Sequence, residues 1–249
     1  MAFYDLPKEE RAALAIKIER EVEQDIAKGK MGKSLHYFTD EDTYIRKCAY
    51  QGIGKIYKRA ESGAVVSFID ELLKNEDAKV RQTAVNAAGE IGKVSFEEVQ
   101  HIFDAALFDE HHSVRNAVIG SMKKMGEVNP KPLLEWSKKY LHHADKEIRR
   151  EICHGIELRG RKYPEDILPL LQELEFDKTA RVRNTLVHVL GQIAYKKNCL
   201  PKVVAHLKKW KNKELVTDAV EEIIDVHHRY RNFAVLTQDE ARAYIKKNL

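Results

Sequence analysis

The sequence has few of the features that mark membrane-spanning or secreted proteins. No apolar run approaches the roughly 18 residues that a membrane-spanning helix needs, so no membrane partner is expected. The three cysteines are odd in number and far apart, which favours buried thiols in the reducing cytoplasm over a disulfide framework. The segment Met1–Pro7 lacks a basic stretch followed by an apolar one, so no secretory signal is expected.

Signatures of catalysis and of cofactor binding are also missing. The sequence contains no serine nucleophile motif, zinc signature or dinucleotide fingerprint, and its adjacent histidine pairs lack the spacing of metal ligands. The glycine-rich run Gly52–Lys55 follows no readable strand, so it does not predict a phosphate-binding loop. Cys153 and His154 are successive residues of a predicted helix and diverge by about 100°, which argues against a catalytic pair. We therefore predict no catalytic residue, no metal site and no small-molecule cofactor.

Charge is nearly balanced along most of the chain. The 43 basic and 39 acidic side chains leave a formal net charge of +4. The basic excess lies from Lys196 onwards, where 12 lysines and arginines face 7 acidic residues. This segment is interpreted as ordinary solvated helix surface or, alternatively, as a region that attracts an acidic partner.

Five arginines recur at a nearly constant interval. The steps between them are 35, 34, 34 and 34 residues, and each arginine follows a polar turn and one aliphatic residue. A period of roughly 20–50 residues is typical of stacked supersecondary units. We expect an arginine at this position to bond the turn aspartate or helix-end carbonyl groups and to tie neighbouring repeats together. Arg149, which other arginines accompany, is also a candidate for binding. The series consists of Arg46, Arg81, Arg115, Arg149 and Arg183.

Each period alternates a segment rich in large apolar residues with a segment that begins at the arginine and carries small residues. The first predicts an outer helix, and the second predicts an inner helix that its neighbours can approach closely. Apolar residues at four-residue intervals predict a further helix before the repeats, from about residue 7 to 27. Thr217 replaces the arginine in an atypical sixth unit, and Thr237 with Glu240 predicts a capping box for a last helix.

The segment Asp77–Gly92 resembles the HEAT-repeat consensus. It combines an aspartate-containing turn, a Val-Arg pair, several alanines and an Ile-Gly pair near the helix end. The likeness covers about residues 35 to 225 and implies an all-α fold, a right-handed α-solenoid (superhelix) of about six HEAT-like helical pairs. We predict a single HEAT-repeat domain over 1–249, comprising an N-terminal helix in 1–33, repeats in 34–228 and a C-terminal cap in 229–249.

Two basic stretches, Arg149–Arg161 and Asp177–Ala194, resemble those of the HEAT-like DNA alkylation-repair (alkylpurine DNA glycosylase) superfamily. In that superfamily a concave basic groove cradles duplex DNA, and members with glycosylase activity add tryptophans and an aspartate on inner helices. The two tryptophans of this chain, Trp136 and Trp210, fall instead on predicted outer helices. The resemblance therefore implies a surface that docks DNA, while this departure argues against base excision.

A column of nitrogen-bearing side chains follows the inner helices. The positions one and five after each periodic arginine are four residues apart and share a helical face, and most carry amides, imidazoles or cations. Cations neutralise phosphates and amides fix position, and carboxylates are nearly absent from these positions, which supports a binding surface. A polar helix face turned to water is the alternative. The predicted nucleic-acid-binding residues are Lys47, Lys93, Lys124, Arg149, Arg150, His154, Arg159, Arg161, His188 and Lys196.

The function predicted from these patterns is non-catalytic binding through the concave face of a cytoplasmic protein. Duplex DNA is the favoured partner, because of the basic stretch at 149–161 and the resemblance to alkylation-repair proteins. A protein-interaction scaffold, in which the same concavity receives a helix or tail of a partner, is the alternative. A DNA glycosylase for alkylated bases is a third hypothesis.

Overall fold

The structure is a computed structural model that describes residues 3–249. Its secondary structure in this range is helical and contains no strand, which confirms the predicted all-α class. Met1 and Ala2, the first residues of the segment predicted to hold the N-terminal helix, lie outside the described residues. None of the helices in 3–249 is both long and apolar enough to cross a membrane.

The helices form two compact units, of which the first ends at Asn129. A short 3-10 helix, Phe3–Asp5, opens this unit, and the predicted helix before the repeats is confirmed with Pro7 as its N-cap. The α-helices of the first unit are α1 (Lys8–Ala27), α2 (Leu35–Thr39), α3 (Thr43–Tyr57), α4 (Ser62–Leu73), α5 (Ala78–Gly92), α6 (Phe96–Ala106) and α7 (His112–Val128).

The second unit spans Pro130–Leu249. Its last helix opens with the predicted capping box, in which the Thr237 hydroxyl accepts from the Glu240 N–H and the Glu240 carboxylate accepts from the Thr237 N–H. The single domain predicted over 1–249 stays a prediction. The helices are α8 (Pro130–Lys138), α9 (Lys146–Gly155), α10 (Glu157–Gly160), α11 (Pro164–Gln172), α12 (Ala180–Ala194), α13 (Leu200–Leu207), α14 (Lys213–Arg229) and α15 (Gln238–Asn248).

Large apolar side chains of the outer helices pack on small residues of the inner helices. In α4, Val65 and Leu72 are fully buried, and in α5 the alanines Ala84, Ala87 and Ala88 are fully buried as well. Gly89 of α5 lies so close to α7 that a Cβ atom at this position would be 2.7 Å from the Cβ of Ser121. Gly89 therefore permits the close helix packing that the small residues of the inner helices predict.

The periodic arginines close the turns that precede the inner helices. In each, Nη1 donates to the main-chain carbonyls six and five residues earlier, as in Arg81, which lies 3.0 Å from the Asn75 oxygen and 2.8 Å from the Glu76 oxygen. The five repeats thus share the same hydrogen bonds from an arginine to main-chain carbonyl groups, and the structural role predicted for these arginines is confirmed. The same pattern occurs at Arg46, Arg115, Arg149 and Arg183.

Candidate functional site

A cluster of lysines lies on the inner helices of the first unit. Lys124 of α7 places its Nζ 5.3 Å from the centre of the Tyr50 ring of α3, a cation–π contact. Burial lowers the pKa of Lys124, and the charges of Lys93 and Lys47 lower it further, while Glu90 opposes the shift. The three lysines are therefore close enough to interact electrostatically. We call Lys47, Tyr50, Lys93 and Lys124 the basic cluster.

One carboxylate, that of Glu90, lies within the basic cluster. Its Oε2 is 2.5 Å from Nζ of Lys93, one turn further along α5. The backbone of α3 holds Glu90 in place, because a Cβ atom at Gly54 would lie 2.6 Å from the Glu90 Cβ. Glu90 thus offsets part of the positive charge of the three lysines.

A groove of about 310 Å³ adjoins the basic cluster between α3 and α5. Lys47 lines it together with the amides of Gln82 and Asn86, the positions that the polar column predicts for these two helices. The Asn86 amide donates to the main-chain oxygen of Gln82 at 2.9 Å, which fixes its orientation. The remaining lining residues are Thr43, Tyr44, Arg46, Tyr50 and Thr83.

Arg149, in the second unit, uses all of its donors within the fold. Its Nε and Nη2 bind the Asp177 carboxylate at 2.6 and 3.1 Å, and Nη2 also donates to the Thr179 hydroxyl. Nη1 donates to the main-chain oxygens of His143 and Ala144. Because a guanidinium has five N–H groups, these five hydrogen bonds leave none for a phosphate. The structure therefore assigns Arg149 to the fold.

Arg150 and Arg159 do not join one basic surface. Arg150 donates to Glu147 at 2.9 Å and lies 3.4 Å from Glu151. Arg159 binds Asp166 at 2.7 Å and stacks on Tyr163, 3.8 Å from the ring centre. The Arg159 side chain lines a separate groove with residues of the outer helices α8 and α11. The sequence prediction missed this separation because the inner helix is interrupted at residue 156, between α9 and α10.

Arg161 also pairs with residues of its own unit. Its Nη2 donates to Glu157 Oε1 at 2.5 Å and to Gln192 Oε1 at 2.7 Å. The guanidinium carbon lies 6.0 Å from the centre of the Tyr195 ring, and Lys196 Nζ lies 4.3 Å from the same ring. Arg161, which directly follows α10, and Lys196, which follows the end of α12, therefore lie beside the same buried aromatic ring.

His154 and His188 meet carboxylates as well. His154 Nε2 lies 3.2 Å from Glu157 Oε2, and His188 Nδ1 lies 3.7 Å from Glu222 Oε1. Carboxylates therefore lie among the polar side chains of the column in the second unit, and the nucleic-acid-binding role of these residues stays a prediction. Glu222 was missed although it occupies the fifth position after Thr217, which is the column position itself.

Cys153, next to His154, is fully buried. Burial, followed by the nearby Glu157 charge, raises the pKa of its thiol well above the usual range. The thiol therefore stays protonated at neutral pH and packs in the core, as the divergence of successive helical side chains predicts.

Comparison with known proteins agrees with the repeat geometry. Residues 33–123 match the family model described as HEAT repeats. This segment carries HEAT repeats. The match includes α3, α5 and the first part of α7, so it contains Lys47, Tyr50 and Lys93 but not Lys124, and it confirms the resemblance seen in Asp77–Gly92. No curated protein matches the chain.

Solved structures similar to this chain are helical repeat proteins. AlkD2 from Streptococcus mutans is 18% identical with a TM-score of 0.58, and smu.31 from Streptococcus mutans UA159 is 19% identical with a TM-score of 0.57. In both comparisons 80% of this chain and 97% of the other are covered. The MAST/Orbit N-terminal domain is 14% identical with a TM-score of 0.53, covering 77% of this chain and 95% of that one. At these identities the similarity shows the fold alone.

Proposed function

We propose that the first unit binds the backbone of duplex DNA through the basic cluster, without catalysing a reaction. The observation that carries the proposal is the geometry of the basic cluster: Lys47 lines the groove beside Tyr50, and Lys124 lies over the Tyr50 ring. Lys93, at the end of α5, pairs with Glu90. A lysine ammonium is a compact point charge suited to phosphate oxygens, and neutralising phosphates releases counterions from DNA.

The neighbouring groove supports contacts that do not depend on base sequence. Lysines supply affinity for phosphates, while amides such as those of Gln82 and Asn86 position a backbone without reading bases. Tyr50 adds an aromatic surface against which Lys124 is held. This composition favours binding to any duplex sequence, with a strong dependence on salt.

The positions of the tryptophans favour docking over base excision. Trp136 lies in α8 and Trp210 follows α13, and each is only 1% exposed. Both rings pack in the core of the second unit, so neither presents a face to a damaged base. The resemblance to alkylation-repair proteins therefore supports a shared mode of docking and not a shared excision site.

The test is a titration of unlabelled duplex DNA at several salt concentrations with a triple variant, Lys47→Ala, Lys93→Ala and Lys124→Ala. If each lysine neutralises one phosphate, the slope of log affinity against log salt becomes shallower by about 3. The matched control replaces Lys74, Lys138 and Lys202 by alanine. Each of these lysines pairs with a glutamate elsewhere on the surface, so the net charge changes equally.

Equal weakening by the two triple variants would show a general charge effect and contradict the proposed cluster. No binding of the unsubstituted chain at low ionic strength would contradict DNA docking altogether and favour a protein-interaction scaffold. In that case the groove between α3 and α5 suits an acidic tail of a partner protein, because Tyr44 and Tyr50 line the groove beside Lys47. Release of free alkylated base from treated DNA under single-turnover conditions would instead show a glycosylase.

A further inference from the structure

Three potential metal ligands converge on the inner side of the second unit. The ligand atoms of His154, Glu157 and His188 all lie within 4.8 Å of one another. His154 and Glu157 stand on either side of the junction between α9 and α10, and His188 comes from α12. The two imidazole rings meet edge to face, with 5.9 Å between their centres.

The spacing of these atoms suits a tetrahedral zinc ion. Zinc bonds of about 2.0–2.1 Å to nitrogen or oxygen place neighbouring ligand atoms about 3.3 Å apart. His154 Nε2 and Glu157 Oε2 are 3.2 Å apart, which matches this edge length. His188 is 42% exposed, so its ring can adjust to complete the third bond without disturbing the core. Two histidines and one glutamate are a ligand set that zinc uses in proteins.

The surrounding charges would orient the ligands. Arg161 donates to Oε1 of Glu157, the oxygen opposite the one that faces His154, so the carboxylate is held in a fixed direction. Glu222 lies 3.7 Å from Nδ1 of His188. This distance is longer than a hydrogen bond, but the carboxylate still favours a proton on Nδ1, and the lone pair of the ring then lies on Nε2.

The burial of Glu157 is a second, independent observation that favours a cation at this site. This carboxylate is only 1% exposed, with His154 on one side and Arg161 on the other. A buried carboxylate is stable when cations or hydrogen-bond donors compensate its charge. Arg161 compensates the charge on the side of Oε1, and a divalent ion would lie on the side of Oε2, which faces His154.

We propose that His154, Glu157 and His188 bind one Zn²⁺ ion, with a fourth position open to water or to an oxygen of a ligand. This site goes beyond the DNA docking proposed for the first unit and does not depend on it. Sequence inspection predicted no metal site because the histidines lie 34 residues apart, each at the fifth position after a periodic arginine. Only the stacking of α9 on α12 brings them together.

The experiment is a titration of the full chain, free of any affinity tag, with Zn²⁺ against a chromophoric chelator. We expect one tightly bound equivalent, and we expect His154→Ala and His188→Ala each to weaken zinc binding by more than tenfold. The matched control is His142→Ala, which removes a histidine that pairs with only one carboxylate, Glu173, at 2.8 Å. This control should bind zinc as the unsubstituted chain does.

A second measurement distinguishes loss of zinc binding from loss of folding in the variants. Zinc should raise the midpoint of thermal unfolding of the unsubstituted chain and of His142→Ala, but not that of His188→Ala, whose exposed side chain can be removed without unfolding. Cys48→Ser excludes zinc capture by the one thiol that is not fully buried. Absence of a stoichiometric site, or zinc binding by His188→Ala equal to that of the unsubstituted chain, would overturn the proposal. In that case the three side chains form a hydrogen-bonded network without metal.

Discussion

Arg81 and Asp109 form a two-pronged ion pair across 28 residues of sequence. Nε and Nη2 of the guanidinium lie 2.7 and 3.0 Å from the two carboxylate oxygens. The arginine stands in the first turn of α5, and the aspartate belongs to the turn before α7, where it also accepts the N–H of His111. The pair therefore joins one repeat to the next. Arg149 and Asp177 repeat it in the second unit at the same separation.

Replacement of Asp109 by alanine should destabilise the first unit by about 3 kcal/mol. The side chains of Arg81 and Asp109 are 11% and 13% exposed, so the substitution leaves a nearly buried guanidinium without its carboxylate. Glu110→Ala is the matched control, because Glu110 lies 3.6 Å from the same guanidinium but is 90% exposed. It should cost less than about 0.5 kcal/mol. Urea unfolding of both variants measures these losses, and equal losses would contradict a specific role for the Asp109 pair.

The same aspartate should make stability depend on acidity. Burial favours the neutral form of Asp109, yet the hydrogen bonds from Arg81 and from the His111 N–H outweigh it and hold the pKa below its usual value. A lowered pKa contributes stability that is complete above the unfolded-state pKa of about 3.9 and is lost as the pH falls through the folded-state value. Unfolding free energies measured from neutral pH downwards should therefore drop below about pH 4, with a shallower drop in Asp109→Asn. An unchanged slope in that variant would contradict the assignment.

Two glycines of the inner helices should respond to alanine in opposite ways. A Cβ at Gly89 would press on the Ser121 side chain of α7, whereas a Cβ at Gly120 of α7 meets nothing within 4 Å. Gly120→Ala should stabilise the chain by about 0.5–1 kcal/mol, since alanine favours helix. Gly89→Ala should lose about 1–2 kcal/mol, because overpacking exceeds that gain. Thermal unfolding of the two variants tests the packing explanation, and stabilisation by both would refute it.

The repeat fold was predictable because its determinants are local. Each periodic arginine bonds carbonyls only five and six residues away, so the arginine and its turn recur together as a readable pattern. The small residue at position 89 likewise marks where α5 meets α7. Helix boundaries, packing faces and the atypical sixth unit follow from such short-range signals.

The candidate site was less predictable because its chemistry depends on partners distant in sequence. The prediction grouped Arg149, Arg159 and Arg161 by their proximity in the chain. In the structure Arg149 binds Asp177, and Arg161 binds Gln192. The break before α10 turns Arg159 toward the outer helices, where it binds Asp166. Charge counts along one helix do not reveal a carboxylate contributed by the next repeat.

Glu90→Gln should strengthen binding of duplex DNA, because this carboxylate is a negative charge beside Lys93 in the basic cluster. Glutamine keeps the shape that packs against Gly54, while Lys93 loses its ion-pair partner and gains freedom to meet a phosphate. Removing one like charge near the DNA backbone is worth about 1 kcal/mol, or about fivefold in Kd. Glu71→Gln is the matched control, since Glu71 forms the same three-residue pair with Lys74 at 2.5 Å on the outer helix α4. Fluorescence anisotropy with a labelled duplex measures both variants. Equal strengthening by Glu71→Gln would mean that overall charge, and not the basic cluster, governs affinity.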